Sequence, residues 1–329
     1  MPQINKILLI RFSSIGDIVL TTPLIRCLRK QFPEAQIHYL CKKEYLPVLQ
    51  GNPYISQCIS IHNKVSEVIS QLKKEHYDFV VDLHKNYRSA LLTSQLRRPS
   101  GTFNKLNIKK WLLVNFRIHQ LPEEHIVDRY FRAVQKLDVL NDMNGLDYFI
   151  PDADEIDKMD LPPAHRNGYI GFAIGGMHKT KMLPIEKVIS VCKHINKALI
   201  LLGGKEDHAS GVKIQMAVGD KIFNACGLYN INQSASLIRQ AEKVISNDTG
   251  LMHIAAAFNK NIVSIWGSTV PEFGMYPYMP QSPERSNIIE VKDLSCRPCS
   301  KIGFTKCPKK HFKCMMEIPE DHIVEKVKD

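Results

Sequence analysis

The chain opens without the basic n-region, long apolar run and cleavage site that would mark a secretion signal. No stretch reaches the roughly 18 consecutive apolar residues that a membrane span requires. A cytoplasmic protein is therefore expected, in which the nine cysteines remain free thiols or bind metal. A Gly-x-Gly-x-x-Gly fingerprint is also missing after the first strand-like run, where Arg11 through Asp17 offers only Gly16. That absence argues strongly against a nicotinamide-dependent oxidoreductase. No nucleic-acid-binding motif appears, so nucleic acid is not expected as a partner. Most uneven is acid: from Leu83 through Pro122 there is no Asp or Glu at all. The same stretch holds Lys85, Arg88, Arg97, Arg98, Lys105, Lys109, Lys110 and Arg117, interleaved with Trp111, Leu112, Leu113, Val114 and Phe116. With a net charge of +11, such a segment suits an anionic membrane surface or a phosphorylated glycolipid; a solvated surface around one buried helix is the plain alternative.

What is present is an alternation of strand-like and helix-like segments in 329 residues, 44% of them hydrophobic, enough for two α/β cores. Ile7–Ile10, Ile37–Leu40 and Phe79–Leu83 read as strands, Thr22–Gln31 and Val65–Glu75 as helices. Pro151–Gly168, polar and without periodicity, reads as a linker. Beyond it, strands restart at Tyr169–Ile174, Ala198–Leu202, Lys243–Ser246 and Ile262–Trp266. The expected domains are residues 1–160 and 161–329, each a parallel sheet wrapped by helices, with ligands at the carboxyl ends of the strands in a cleft between them.

Three segments carry chemistry. Asn247-Asp248-Thr249-Gly250-Leu251-Met252-His253-Ile254-Ala255-Ala256-Ala257-Phe258 follows an apolar strand and opens a helix whose free N–H groups and dipole favour a phosphate. Arg11-Phe12-Ser13-Ser14-Ile15-Gly16-Asp17-Ile18-Val19-Leu20-Thr21-Thr22-Pro23 is a strand–loop–helix start. Gly175-Gly176-Met177-His178-Lys179-Thr180-Lys181-Met182-Leu183-Pro184 is a glycine-led basic loop. In this order and at these separations the three resemble the motifs of glycosyltransferase family 9, the lipopolysaccharide heptosyltransferases. The resemblance spans nearly the whole chain and implies the GT-B architecture of two Rossmann-like domains. It implies an inverting, metal-independent transferase that moves a sugar, with heptose from ADP-heptose the expected donor, onto a lipid A–Kdo-type inner-core acceptor. The enzyme would then work as a peripheral protein on the cytoplasmic face of the inner membrane. Transfer of another nucleotide sugar, or a non-catalytic basic module binding membrane or nucleic acid, are the competing functions.

Inverting transfer needs one base to take the acceptor hydroxyl's proton as the sugar–phosphate bond breaks, and the resemblance places that base at Asp17. Ser14 and Gly16 shape its loop and are expected near the donor or acceptor. A leaving nucleoside diphosphate needs a fixed cation, and the resemblance assigns Lys181; Lys179 competes on spacing alone. Gly175, Gly176 and Met177 are expected to meet the donor through backbone. Here the chain departs from the family, which often has a hydroxyl residue after the glycine and Arg-Trp before the proline, where this chain has Met177 and Met182-Leu183. Thr249, Gly250, Leu251 and Met252 are expected to present amides to the diphosphate, with His253 and Asp248 on the phosphate, sugar or loop. Glu206, after the paired glycines Gly203 and Gly204, is placed for ribose hydroxyls, as in the family. Asp82, His84, Asn86 and Arg88 are the acceptor candidates, the guanidinium suiting phosphate or carboxylate. Cys296, Cys299, Cys307 and Cys314, with His311 close by, have a spacing able to hold structural zinc; reduced or disulfide-bonded cysteines are the alternative. The reaction itself is expected to require no cofactor.

Overall fold

The computed structural model describes residues 3–328. The first unit extends to Lys105 and resumes over Glu124–Pro151. Its strands β1 (Lys6–Ile10), β2 (Gln36–Lys42), β3 (Gln57–Ile61), β4 (Phe79–Asp82) and β5 (Ser100–Thr102) form a 5-stranded parallel sheet in the order β3-β2-β1-β4-β5. Parallel neighbours need crossovers. Helices α1 (Ile15–Val19), α2 (Thr22–Gln31), α3 (Ile69–Lys74) and α4 (Tyr87–Leu96) lie in these connections. The apolar run of β1 is central, with Ile7, Leu8, Leu9 and Ile10 fully buried, so both its faces need cover.

The helix expected over Val65–Glu75 is broken into a 3₁₀ turn, Val65–Glu67, and α3. The Glu67 carboxylate folds back to accept hydrogen bonds from the amides of His62 (2.7 Å), Asn63 (3.1 Å) and Lys64 (2.7 Å), which winds that turn tightly. A single-sequence periodicity cannot show such a local competitor for the backbone.

The second unit comprises Leu106–Glu123 and the chain from Asp152 onward. Its strands β6 (Ile170–Ala173), β7 (Leu199–Leu202), β8 (Ile222–Asn224), β9 (Lys243–Asn247), β10 (Asn261–Trp266) and β11 (Ser286–Glu290) form a 6-stranded sheet in the order β11-β10-β9-β6-β7-β8. Every pairing in it is parallel. Helix α5 (Asn107–Phe116) belongs to this unit, although it precedes α6 (Ile126–Phe131) of the first. The remaining helices are α7 (Ile185–His194), α8 (His208–Val218), α9 (Ile231–Gln240), α10 (Gly250–Ala257), α11 (Lys313–Met316) and α12 (Glu320–Lys328).

Two boundaries differ from the linear reading. Leu113 and Leu121 are buried in one cluster with Val270 and Phe273, so apolar burial draws 106–123 out of the N-terminal half into the second unit. The segment expected as a linker also packs: Asp154 accepts from Asn230 (2.7 Å) and Asn232 (2.9 Å) of the α9 region, and the Ile156 amide donates to Ser236 (3.0 Å). Asp154 and Glu155 are met by side chains that only the fold brings near.

Each sheet has the doubly wound order in which the chain leaves a central strand in one direction and then returns to its other side. The reversal falls between β1 and β4 in the first unit and between β6 and β9 in the second. Adjacent loops diverge at such points, leaving a crevice at the carboxyl ends of the strands.

Candidate functional site

In the first unit the loop leaving β1 carries Arg11, Ser14 and Asp17. Ser14 is the N-cap of α1; its hydroxyl (2.9 Å) and amide (3.3 Å) donate to Asp17 Oδ2. Arg11 Nη2 lies 2.5 Å from Asp17 Oδ1, while its other nitrogens donate to the carbonyls of Leu83 (2.6 Å) and Ser13 (2.8 Å). The Asp17 side chain is 22% exposed, against 8% for Arg11, so the ion pair is largely buried and the carboxylate is its more accessible member. Burial alone would raise the Asp17 carboxyl, but the Arg11 guanidinium and the Ser14 hydrogen bonds outweigh it and hold it below its ordinary value. Asp17 is thus a carboxylate at neutral pH, fixed at one oxygen by the cap and at the other by a cation.

Around it stand two groups that the sequence did not assign to this site. Lys105 is partly buried, its ammonium pushed down by that burial and by Arg11 against the pull of Asp17 and Asp82. The Tyr130 hydroxyl is buried without a hydrogen-bond partner among the described residues, and burial lifts it to about 12. No motif marks either residue; both come from segments that meet β1 only in three dimensions.

The loop after β4 brings the acceptor candidates to the same edge. Asp82 is largely occupied: Oδ1 accepts from the amides of His84 (2.9 Å) and Lys85 (2.7 Å), and Oδ2 from the Ser89 hydroxyl (2.8 Å). Asn86 caps α4 by accepting from the Ser89 amide (2.9 Å). The His84 ring packs on Phe12, centroids 4.7 Å apart, with its Nδ1 buried and without a partner among the described residues. Burial, with Arg11 and Lys105 nearby, pushes His84 down to about 3, so it is a neutral imidazole at pH 7. Arg88 is exposed, with one hydrogen bond of 3.3 Å to the Asn63 carbonyl. Of the four, Arg88 is the exposed cation, while Asp82 and Asn86 build the turn that presents it.

In the second unit, Gly175, Gly176, Met177 and Lys181 follow β6, Glu206 follows β7, and Asp248 to His253 follow β9. Asn247, the last residue of β9, ties two of these loops. Its Nδ2 donates to the Ala173 (3.3 Å) and Ile174 (3.1 Å) carbonyls, and its Oδ1 accepts from the Leu183 amide (3.1 Å). Lys181 Nζ meets Asp248 Oδ2 at 2.6 Å, and that same oxygen accepts from the Thr269 hydroxyl (2.8 Å). The Lys181 side chain is 18% exposed, so it is held at the surface of the loop rather than swinging free.

The glycines explain themselves by what a side chain would strike. A Cβ on Gly175 would lie 2.1 Å from Asp207 Oδ2, and one on Gly204 would lie 2.4 Å from Glu206 Oε2. Asp207 is itself buried, its Oδ2 accepting from the Gly204 amide (3.0 Å) and its Oδ1 without a partner among the described residues. Burial raises its carboxyl against that hydrogen bond. Glu206 is exposed on the same turn, available to a ligand. Thr249, the N-cap of α10, makes no side-chain cap, leaving the first-turn amides of Gly250, Leu251 and Met252 unclaimed by the helix itself. His253 and Met252 are buried, 3% and 0% exposed. His253 thus lies in the buried part of the α10 start.

The basic loop has a further support. Thr180 exchanges hydrogen bonds with Phe304: its hydroxyl accepts from the Phe304 amide (2.8 Å) and its amide donates to the Phe304 carbonyl (3.1 Å). A Cβ on Gly303, whose φ is +103°, would lie 2.7 Å from His178 Cβ. The cysteine-rich segment is thereby a buttress of the Lys181 loop. Its Cys296 Sγ lies 3.8 Å from His311 Nε2, and burial raises Cys299 to about 11 and Cys314 to about 12. Among the described residues, however, no three His, Cys, Asp or Glu side chains converge as a metal-binding group.

Two sheet edges thus carry complementary chemistry: a fixed carboxylate among cations in one unit, and a glycine-cleared loop with a lysine and open helix amides in the other. The family model described as glycosyltransferase family 9 (heptosyltransferase) matches residues 65–309. The chain is 25% identical to lipooligosaccharide heptosyltransferase 2 of Haemophilus ducreyi, covering 98% of each sequence. It is 25% identical to lipopolysaccharide heptosyltransferase 1 of Campylobacter coli, again over 98% of each. Among solved structures, Escherichia coli ADP-heptose lps heptosyltransferase II aligns with a TM-score of 0.74 at 21% identity, over 98% of this chain and 97% of that one. An Escherichia coli heptosyltransferase with ADP gives 0.66 at 16%, over 98% and 99%. The likeness of the two doubly wound units to these structures shows the GT-B fold.

Proposed function

Because the chain belongs to glycosyltransferase family 9, and is a glycosyltransferase, we propose that it transfers heptose from ADP-heptose, with inversion and without a catalytic metal, to a lipopolysaccharide inner-core acceptor. Asp17 is the base. Its Oδ takes the proton of the acceptor hydroxyl as the anomeric carbon's bond to phosphate oxygen breaks and the new glycosidic bond forms on the opposite face. The hydroxyl becomes acidic only as an oxocarbenium-like carbon draws on its electrons, so a carboxylate of low basicity suffices. The leaving ADP gains charge, which the Lys181 ammonium and the α10 amides offset where they already stand, with no metal needed for that role. Glu206 holds the ribose, and Arg88 an anionic group of the acceptor. The acceptor being lipid-linked, the protein works at the cytoplasmic face of the inner membrane.

The single observation that carries this reading is the loop pair after β6 and β9, where glycines, Lys181 and unclaimed helix amides share one sheet edge. The relatives' names supply the sugar and acceptor class. Calorimetric titration with ADP, UDP, GDP and NAD, without added metal, tests it. Selective ADP binding is expected. Preference for UDP or GDP would keep a transferase and discard heptose from ADP-heptose, and preference for NAD would remove the transferase assignment.

Structural zinc on Cys296, Cys299, Cys307 and Cys314 is a separate part of the proposal. As placed, these side chains do not form a ligand set, so loading must draw the thiols together, and no step of transfer passes through the metal. Elemental analysis of the purified protein is expected to find zinc that is lost in Cys296→Ser. Native protein free of metal ends this part alone.

A further inference from the structure

Helix α5 shows its apolar side to solvent. Ile108, Trp111 and Phe116 are 77%, 50% and 59% exposed, at the i, i+3 and i+8 positions that share one helical face. The opposite face is spent on the second unit, through buried Leu113 against Val270 and Phe273. Trp111 and Phe116 pack together edge to face, centroids 5.2 Å apart, and Ile118 just beyond is 45% exposed. Arg117 then staples the helix end to a distant part of the chain, donating to the carbonyls of Ser295 (2.8 Å) and Pro298 (3.0 Å). That part has the same character: no Asp or Glu occurs from Leu294 through Met316, and Lys301, Ile302, Phe304, Lys306, Lys309 and Lys310 are all exposed. Two acid-free, basic and apolar stretches, far apart in sequence, thus join on one unit.

We propose that this joined surface of α5 and 295–310 docks the protein on an anionic phospholipid bilayer. The aliphatic and aromatic side chains enter the acyl boundary, and the lysines meet the headgroups. No helix among the described residues is long and apolar enough to cross a membrane, so the protein lies on the surface. Lipid is favoured over nucleic acid because Ile108, Ile118 and Ile302 gain nothing from a phosphodiester groove, which rewards stacking and cations. A second copy is disfavoured because it would bring like charges face to face. The idea rests on the lipid-linked acceptor reading only for its purpose; the docking is tested separately.

The chain has 2 tryptophans, and Trp266 is 1% exposed, so Trp111 reports on this surface. Vesicles of phosphatidylcholine with phosphatidylglycerol are expected to shift its emission to the blue, and brominated acyl chains to quench it, with salt reversing both. Trp111→Ser/Phe116→Ser and, independently, Lys309→Glu/Lys310→Glu are each expected to weaken flotation with these vesicles by roughly tenfold or more. Both should leave transfer to a soluble, delipidated acceptor unchanged. Equal binding to pure phosphatidylcholine, no binding at low salt, a shift that follows protein concentration without vesicles, or a shift with duplex DNA only would each overturn the docking. Transfer to the soluble acceptor without vesicle binding would sink the docking and keep the transferase. Vesicle binding without any transfer would do the reverse.

Discussion

Asp17→Asn is expected to lower kcat by about 10³-fold, a barrier increase of about 4 kcal/mol, while ADP affinity stays within roughly twofold of the parent. The amide fills the same space and can still accept from Ser14, but it cannot take a proton. Arg11 keeps its hydrogen bonds to Leu83 and Ser13, so the loop is not left without support. Steady-state kinetics beside calorimetry separates the two effects. An equal loss of ADP affinity would mean that the residue only shapes the loop. The acid limb gives a second check. The Asp17 carboxyl is held below its ordinary value, so the base stays charged at neutral pH and is lost only as pH falls through that lowered value. Its contribution to stability has the same sign: full above the unfolded-state carboxylate value of about 3.9, and lost toward lower pH. An activity loss that begins near pH 6 must then come from another group.

Lys181→Ala is expected to cost about 10²-fold to 10³-fold in kcat/KM and to weaken ADP binding as well. Two effects combine. The ammonium that offsets the leaving diphosphate is gone, and Asp248 loses its cation while Thr269 still donates to it. The stranded carboxylate then repels the diphosphate. Removing it too should recover part of the loss, so Lys181→Ala/Asp248→Ala is expected to be less impaired than the product of the two single effects. Strict multiplicativity, measured in the same nucleotide titrations, would show that the ion pair has no bearing on the donor.

Much of this protein was legible along the chain. The alternation of apolar runs with helix-forming segments gave both parallel sheets, because a strand buried on two faces needs an unbroken apolar sequence. The extent of α2 was readable to the residue, since Pro33 and the sequence before it end a helix wherever it sits. The places of Asp17, Lys181 and the α10 start in the loops after β1, β6 and β9 were readable because each follows its strand closely in sequence; the roles assigned to them came from the family resemblance.

What the chain alone could not reveal depends on partners remote in sequence. Only the fold shows that Lys181 is paired with Asp248, that Asp82 and Asn86 take part in building a turn, and that His84 is neutral. Lys105 and Tyr130 join Asp17 without any motif, and the burial of His253 is visible only in the fold. The basic stretch illustrates the division. Its charge was fully visible in the sequence, but the membership of its part from Leu106 onward in the second unit, and the union of that part with 295–310, follow from burying Leu113 on Phe273 and anchoring Arg117. Local pattern determines which elements form, because it depends on near neighbours. Which side chains remain available is decided by burial and by competing hydrogen bonds, and those arise only when distant segments meet.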